Sequence, residues 1–343
     1  MTRDDRRPRI AVDAMGGDHG PHVVVPGAVQ ALRGGCEGEL VFYGRPEAIE
    51  AELSALDTDG FTITVVGCSQ DIGMSESPAS AIRNRPDSPI VRAMKDQRAG
   101  DVDAVVSAGS TGAMVAASLL ILGRLGHADR PAIATFIPTV RGETLLLDAG
   151  ANTQCTPELL LGFARMGEAY CRAMMDQDSP TVGLLNIGGE PSKGNELSVA
   201  AHALLAGSGL NFHGNVEGNE VLVGPCDVLV ADGFAGNVVL KMCEGLAVFI
   251  KALAGSGRLQ PDEVAGLGAF GAIIKRRFNY EIYGGAPLLG VDGVSIIGHG
   301  RSSAVAFEHA VKVADLQVRR DLPRLIDRAL AGVRHLARGA IIA

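Results

Sequence analysis

The sequence contains no tryptophan, and only 4% of its residues are aromatic. Its core must therefore be aliphatic, drawn from a chain that is 47% hydrophobic, while 45 glycines and 16 prolines supply many places to turn. That balance fits short Val/Ile/Leu strands joined by glycine turns. Long apolar runs are also missing. The longest, Ala113 to Leu122, contains Ser118 and lies between Gly112 and Gly123, short of the roughly 20 residues needed to cross a bilayer. A secretory signal is not expected either. Residues Met1 to Arg9 mix Asp4 and Asp5 with arginines, and Asp13 interrupts the apolar stretch that follows. The reading places the chain in the cytoplasm.

Six cysteines (Cys36, Cys68, Cys155, Cys171, Cys226 and Cys243) are scattered without a CxxC pair, which predicts reduced and mostly buried thiols rather than a disulfide framework. No HExxH, EF-hand loop or Cys/His cluster is present, so no protein-bound metal and no cofactor is expected. A formal net charge of -8 argues against nucleic acid as a partner, because phosphate backbones select a basic surface. An acidic protein partner would need a local basic patch.

A chain of 343 residues is long enough for two domains or one large α/β unit; a single domain over 1–343 is expected, with an amphipathic helical segment near 261–280. Strands are read at Arg9–Asp13, Leu40–Gly44, Phe61–Gly67, Asp103–Ala108, Ala132–Ile137, Thr144–Asp148, Thr181–Ile187, Asp227–Ala231 and Val294–Ile297, with helices between them. Glycines at most strand exits predict an α/β fold: three layers, α/β/α, around a mainly parallel sheet with its ligand crevice at the carboxyl ends of the strands. One distant echo stands out. Asp103 to Gly112 and Asp227 to Gly236 share the order Asp, strand, Gly-x-x-Gly, apolar helix. Two such turns facing one crevice would offer N–H groups and positive helix ends to an anion; as ordinary tight turns they would offer nothing special.

The turns hold the polar chemistry. After the first strand, Gly16 and Gly17 let backbone approach a ligand, with Asp13 and Asp18 beside them; Asp18 reads first as a helix cap and His19 as a surface histidine. Asn152 closes Asp148-Ala-Gly-Ala-Asn152 and offers a neutral amide. Lys193 sits beside Gly194 at a helix entrance, a reasonable place for a phosphate or oxyanion ligand. Asp232, Gly236 and Asn237 form the second echoed turn; His299, Arg301, Ser302 and Ser303 join the last strand to its helix. So many donors imply an anionic ligand, most simply phosphate.

Two motifs compete. Ala108-Gly-Ser110-Thr111-Gly112 is one residue away from the GxSxG nucleophile elbow, which keeps a serine-type thioesterase or hydrolase at Ser110 open. Gly266-Leu-Gly268-Ala-Phe-Gly271 matches GxGxxG, but no strand precedes it, so it does not indicate a dinucleotide.

Over nearly its whole length the sequence resembles the acyl carrier protein:phosphate acyltransferases, the PlsX family. The resemblance is carried by Ile10–Asp18 with Pro21, Ser107–Ala113, Arg130-Pro131, Asp148–Asn152, Lys193–Leu197, Asp232–Asn237, Tyr283–Ala286 and His299-Gly300 with Ser302. It departs from the family pattern at Ser110, where many relatives have Asn, and across Ala81–Pro89. The resemblance implies a homodimer with an isocitrate/isopropylmalate dehydrogenase-like α/β/α fold, related also to phosphotransacetylase. It implies acyl transfer from acyl carrier protein to phosphate, delivery of acyl phosphate to a membrane glycerol-3-phosphate acyltransferase, and Lys193 and Asn237 as catalytic residues. Asp13, Gly16, Gly17, Asp18, Ser110, Thr111, Gly112, Asn152, Asp232, Gly236, His299 and Ser302 are then expected to bind substrate and phosphate.

Such chemistry needs little beyond positioning. A phosphate oxygen attacks the thioester carbonyl, and a thiol of pKa about 8.5 leaves without a strong acid. Val264, Leu267, Gly271, Ile274 and Phe278 share a helical stripe, with Lys275, Arg276 and Arg277 at one end; Leu267, Phe270 and Ile274 are expected to make a peripheral membrane contact, though a stripe packed on a second copy of the chain fits the same pattern. A β-decarboxylating dehydrogenase, a short-chain phosphotransacetylase and a non-catalytic membrane scaffold also remain open, since fold does not settle function.

Overall fold

The computed structural model describes residues 6–73, 76–258, 260, 266–268, 271 and 283–331. The chain divides into two compact units: the first comprises the described residues within 1–131, 173–175 and 281–331, and the second those within 132–172 and 176–280.

In the first unit the strands are β1 (Arg9–Asp13), β2 (Glu39–Gly44), β3 (Ile63–Gly67), β4 (Ala104–Ser107), β10 (Ala286–Leu289) and β11 (Val294–Ile297), in the spatial order β3-β2-β1-β4-β11-β10. All pairs are parallel except β10 with β11. Successive residues Ile10, Ala11, Val12 and Asp13 are all buried, which requires cover on both faces of the sheet. Helices α1 (Pro21–Arg33), α2 (Pro46–Ser54), α3 (Pro78–Asn84), α4 (Pro89–Ala99) and α5 (Thr111–Ala117) follow the strands, and α9 (Ala304–Arg319) and α10 (Leu322–Leu330) close the unit. The core joins Ile10, Val12, Phe42 and Val106 of the strands to Val25 of α1 and Phe307 of α9.

In the second unit β5 (Ala132–Thr139), β6 (Gly142–Leu147), β7 (Val182–Asn186), β8 (Phe212–Glu217) and β9 (Val228–Val230) take the order β5-β6-β9-β7-β8. A hairpin makes β5 and β6 antiparallel; the rest are parallel. Helices α6 (Pro157–Met174), α7 (Glu196–Ala206) and α8 (Gly233–Ala254) connect them, α6 running almost wholly in this unit. The expected α/β fold with a mainly parallel sheet flanked by helices is what the chain adopts.

Three features differ from the sequence reading. β8 and β10 lie where no strand was expected. Asp18 does not cap α1: the cap position is Gly20, with no side-chain hydrogen bond, because the chain turns two residues beyond Asp18. And the search for uninterrupted apolar runs missed the 22-residue α8, whose most apolar 18-residue stretch has a mean hydropathy of 1.5, long and apolar enough by length and composition to cross a membrane. Lys241 and Glu244 break its runs without removing its apolar character. None of the six cysteines is in a disulfide and four of them are buried; burial pushes the thiols of Cys68, Cys171 and Cys226 up to about 12.

Candidate active site

Parallel strands align their carboxyl ends, so turns from neighbouring strands meet at one edge of a sheet. In the first unit the relevant neighbours are β1, β4 and β11. Their turns interlock: the Asp18 N–H donates to Gly300 O at 2.8 Å, and the Gly298 N–H to Ser107 O at 2.8 Å. Gly16 packs so closely on the β4 turn that a Cβ there would lie 2.8 Å from Gly109 N and 2.9 Å from Asp13 Oδ2, closer than real Cβ contacts allow. Asp13 is buried beneath this junction. Its Oδ2 accepts from Ser107 Oγ at 2.6 Å and its Oδ1 from the Met15 N–H at 3.0 Å. Burial outweighs those bonds and lifts the carboxyl from 3.8 to about 6. Asp13, Met15, Gly16, Gly17, Ile90 and Gly109 contribute to the lining of a cavity of about 90 Å³.

The remaining expected residues of this unit divide into buried and exposed ones. Ser110 is buried, and its Oγ caps α5 by accepting from the Ala113 N–H at 3.4 Å. No histidine or carboxylate bonds to that hydroxyl among the described residues, so Ser110 is not arranged as an activated nucleophile. Thr111 and Gly112 form the first turn of α5. Ser302 is buried, whereas His299 is exposed and its Nδ1 accepts from the Arg301 N–H at 3.2 Å. Asp18 and His19 are exposed.

In the second unit the neighbours are β6, β9 and β7, and their turns carry Asn152, Asn237 and Lys193. The β6 turn is built around Asp148, which is fully buried. Its Oδ1 accepts from the N–H groups of Ile133 (2.9 Å), Gly150 (3.2 Å) and Ala151 (3.1 Å), and its Oδ2 from the Asn152 N–H (2.6 Å) and Nδ2 (3.0 Å). One carboxylate thus shapes the loop and aims Asn152. Sequence reasoning left Asp148 off the site, although its place at the head of the Asp-Ala-Gly-Ala-Asn turn was the available signal.

The β9 turn locks onto that loop. The Gly233 N–H donates to Asn152 O at 2.7 Å, and a Cβ on Gly236 would collide with Asp148 O. Asp232 Oδ1 accepts from the N–H groups of Phe234 and Ala235, both at 2.9 Å, and so starts α8. Asn237 follows in the first turn of α8, exposed, beside Gly150. The β7 turn is held separately. Asn186 Nδ2 donates to Lys193 O at 2.9 Å, the Lys193 N–H donates to Glu190 O at 3.0 Å, and Asn215 Nδ2 donates to the same oxygen at 2.8 Å. With its backbone fixed, the Lys193 side chain is exposed and makes no ion pair among the described residues. Asn195 caps α7, its Oδ1 accepting from the Ser198 N–H at 2.9 Å, so a helix N-terminus begins two residues after the lysine. Thus a free ammonium and a free amide are presented at the same sheet edge, each on a turn fixed by polar bonds.

The family model described as Fatty acid synthesis protein matches residues 8–324. The chain belongs to that family. Phosphate acyltransferase of Desulforamulus reducens is 46% identical over 329 residues, 94% of this chain and 97% of that protein. Phosphate acyltransferase of Heliobacterium modesticaldum is 46% identical over 330 residues, 94% and 98% respectively. The chain is accordingly an acyltransferase of the phosphate acyltransferase family, as the sequence motifs imply. Among solved structures it is similar to EutD phosphotransacetylase from Staphylococcus aureus, with a TM-score of 0.60 at 16% identity, covering 91% of this chain and 94% of that one. A branched-chain phosphotransacylase from Enterococcus faecalis V583 gives 0.57 at 15%, covering 91% and 99%. At that identity the likeness is one of fold. Most of the amphipathic segment of the sequence reading, Phe270 and Ile274 included, lies outside the described residues; of its expected membrane contacts only Leu267 is described, half-buried.

Proposed function

We propose that the protein moves a long-chain fatty acyl group from the thioester of acyl carrier protein onto inorganic phosphate, giving acyl phosphate for phospholipid synthesis. The observation that carries the reading is the free ammonium of Lys193 and the free amide of Asn237 on rigid turns of one sheet edge, in a chain of the phosphate acyltransferase family. A phosphate oxygen forms the new bond to the acyl carbon, the carbon–sulfur bond breaks, and the thiolate leaves and takes a proton from water. Lys193 holds phosphate and the developing oxyanion, and Asn237 donates to the carbonyl oxygen. Asn152, Asp232 and Gly236 support these donors; Asp13, Gly16, Gly17, Asp18, Ser110, Thr111, Gly112, His299 and Ser302 form the substrate-binding turns of the first unit.

On this reading residues 1–343 act as one acyltransferase domain in a homodimer at the cytoplasmic face of the membrane. Its acyl phosphate passes to a membrane glycerol-3-phosphate acyltransferase. The exposed apolar side chains Met242, Val248 and Phe249 on α8 support an interface with a second copy, and Leu267, Phe270 and Ile274 are retained as the peripheral membrane contact. The test is incubation with palmitoyl-acyl carrier protein and labelled inorganic phosphate. Phosphate-dependent acyl phosphate is expected, with Lys193→Ala and Asn237→Ala each lowering kcat/KM at least about hundredfold. Turnover within about threefold of wild type in both folded variants would sink the residue assignment. Phosphate-independent release of fatty acid would sink the transfer reading in favour of hydrolysis.

A further inference from the structure

Two large apolar side chains stand in solvent where this sheet edge is most polar: Ile187 is 80% exposed and Phe234 is 66% exposed. They come from adjacent parallel strands. The last paired rung of β7 and β9 is Leu184 with Val230; Ile187 lies three residues beyond that rung, just past the end of β7, and Phe234, the second residue of α8, lies four residues beyond it after β9. Both backbones are pinned by the polar residues before them. The Ile187 N–H donates to Asn186 Oδ1 at 2.8 Å and the Phe234 N–H to Asp232 Oδ1 at 2.9 Å. The same Asn186 holds the carbonyl of Lys193, and Phe234 is three residues before Asn237 on one helix. Each apolar side chain is therefore tied to one of the two free polar heads.

An exposed apolar residue on a fixed backbone gains from contact with an apolar group and gives up only side-chain rotamer freedom in doing so. The match is amphiphilic. An anionic phosphoryl head suits the ammonium and amide, and a hydrocarbon chain leaving the same carbonyl suits an isoleucine and a phenylalanine beside them. We propose that Ile187 and Phe234 form the contact for the first methylenes of the acyl group, making this pair the determinant of fatty over acetyl substrates. The inference rests on the acyl-transfer reading for the position of the carbonyl.

The experiment uses the full chain and 2-oxoalkylphosphonates, which mimic acyl phosphate with a methylene in place of the bridging oxygen. Those with two-, six- and sixteen-carbon acyl groups are titrated calorimetrically into the wild type, Ile187→Ala, Phe234→Ala and the double variant. Wild type is expected to bind the six-carbon probe more tightly than the two-carbon probe, and the double variant to lower that ratio about tenfold. A ratio that survives both substitutions overturns the proposal, as does a wild type indifferent to chain length. Weakened dimerisation by light scattering with an unchanged ratio gives the pair to contact between copies and also overturns it. If the phosphonates bind with the expected ratio but palmitoyl-acyl carrier protein yields no acyl phosphate, the donor reading fails and the chain contact stands. Urea denaturation checks that the variants, both changed at exposed positions, remain folded.

Discussion

Asp13 shows how burial sets the chemistry of a single residue. Ser107 Oγ and the Met15 N–H both favour its charged form, yet desolvation holds its folded pKa at about 6 against 3.8. Between those values the folded chain keeps a proton that the unfolded chain has released, so stability falls as pH rises through that window. The penalty is about 3 kcal/mol, taking roughly 1.4 kcal/mol per pKa unit. Urea denaturation at a series of pH values is expected to show a decline between pH 4 and pH 6.5 that Asp13→Asn removes; parallel wild-type and variant profiles would contradict it. The sequence identifies Asp13 as a carboxylate at a strand exit, but it gives no sign that Ser107, on another strand, is its partner. Lys193 and Asn237 were read from motif and turn position together, and the structure leaves both side chains exposed at strand exits. Asp18 as a cap was misread, since a cap is defined by where the helix begins and the chain delays that start to Pro21.

Among elements, the Asp148 loop organises the second unit's edge. Three backbone N–H donors on one oxygen and two Asn152 donors on the other make it the anchor of both the β6 and the β9 turns. Asp148→Ala is expected to strand the buried Ile133 N–H and the part-buried donors of the loop and cost about 3 kcal/mol, with acyl transfer lost because Asn152 and Asn237 lose their support. Chemical denaturation and the transfer assay read the two effects separately, and a variant of wild-type stability would show that water replaces the carboxylate. The strands that sequence reading missed have local reasons. β8 is an edge strand carrying His213, Gly214 and Asn215, with no apolar alternation to read. β10 is short, contains Pro287 and follows two glycines. Both are strands because a neighbour offers them a ladder.

At the scale of the molecule, α8 carries Asn237 near its start, and on the proposed function that end serves the chemistry. Only 12% of its most apolar stretch is buried. Surfaces of that kind call for a partner. Met242→Glu with Phe249→Glu is expected to convert a dimer to a monomer in size-exclusion chromatography with light scattering; a monomeric wild type would remove the homodimer from the proposal. The net charge of -8 adds long-range repulsion between copies, so dimerisation is expected to tighten with added salt.

The sequence by itself determined the fold class, the strand-exit turns and the residue types offered there, because strand and helix periods, glycine spacing and family motifs are local in the chain. Tertiary structure decided the rest: which turns share a sheet edge, that Asp13 is desolvated while Lys193 stays free, and that Ile187 and Phe234 face solvent beside the polar heads. These depend on strand order and on burial, which arise between segments distant in sequence and leave no mark on the residues themselves.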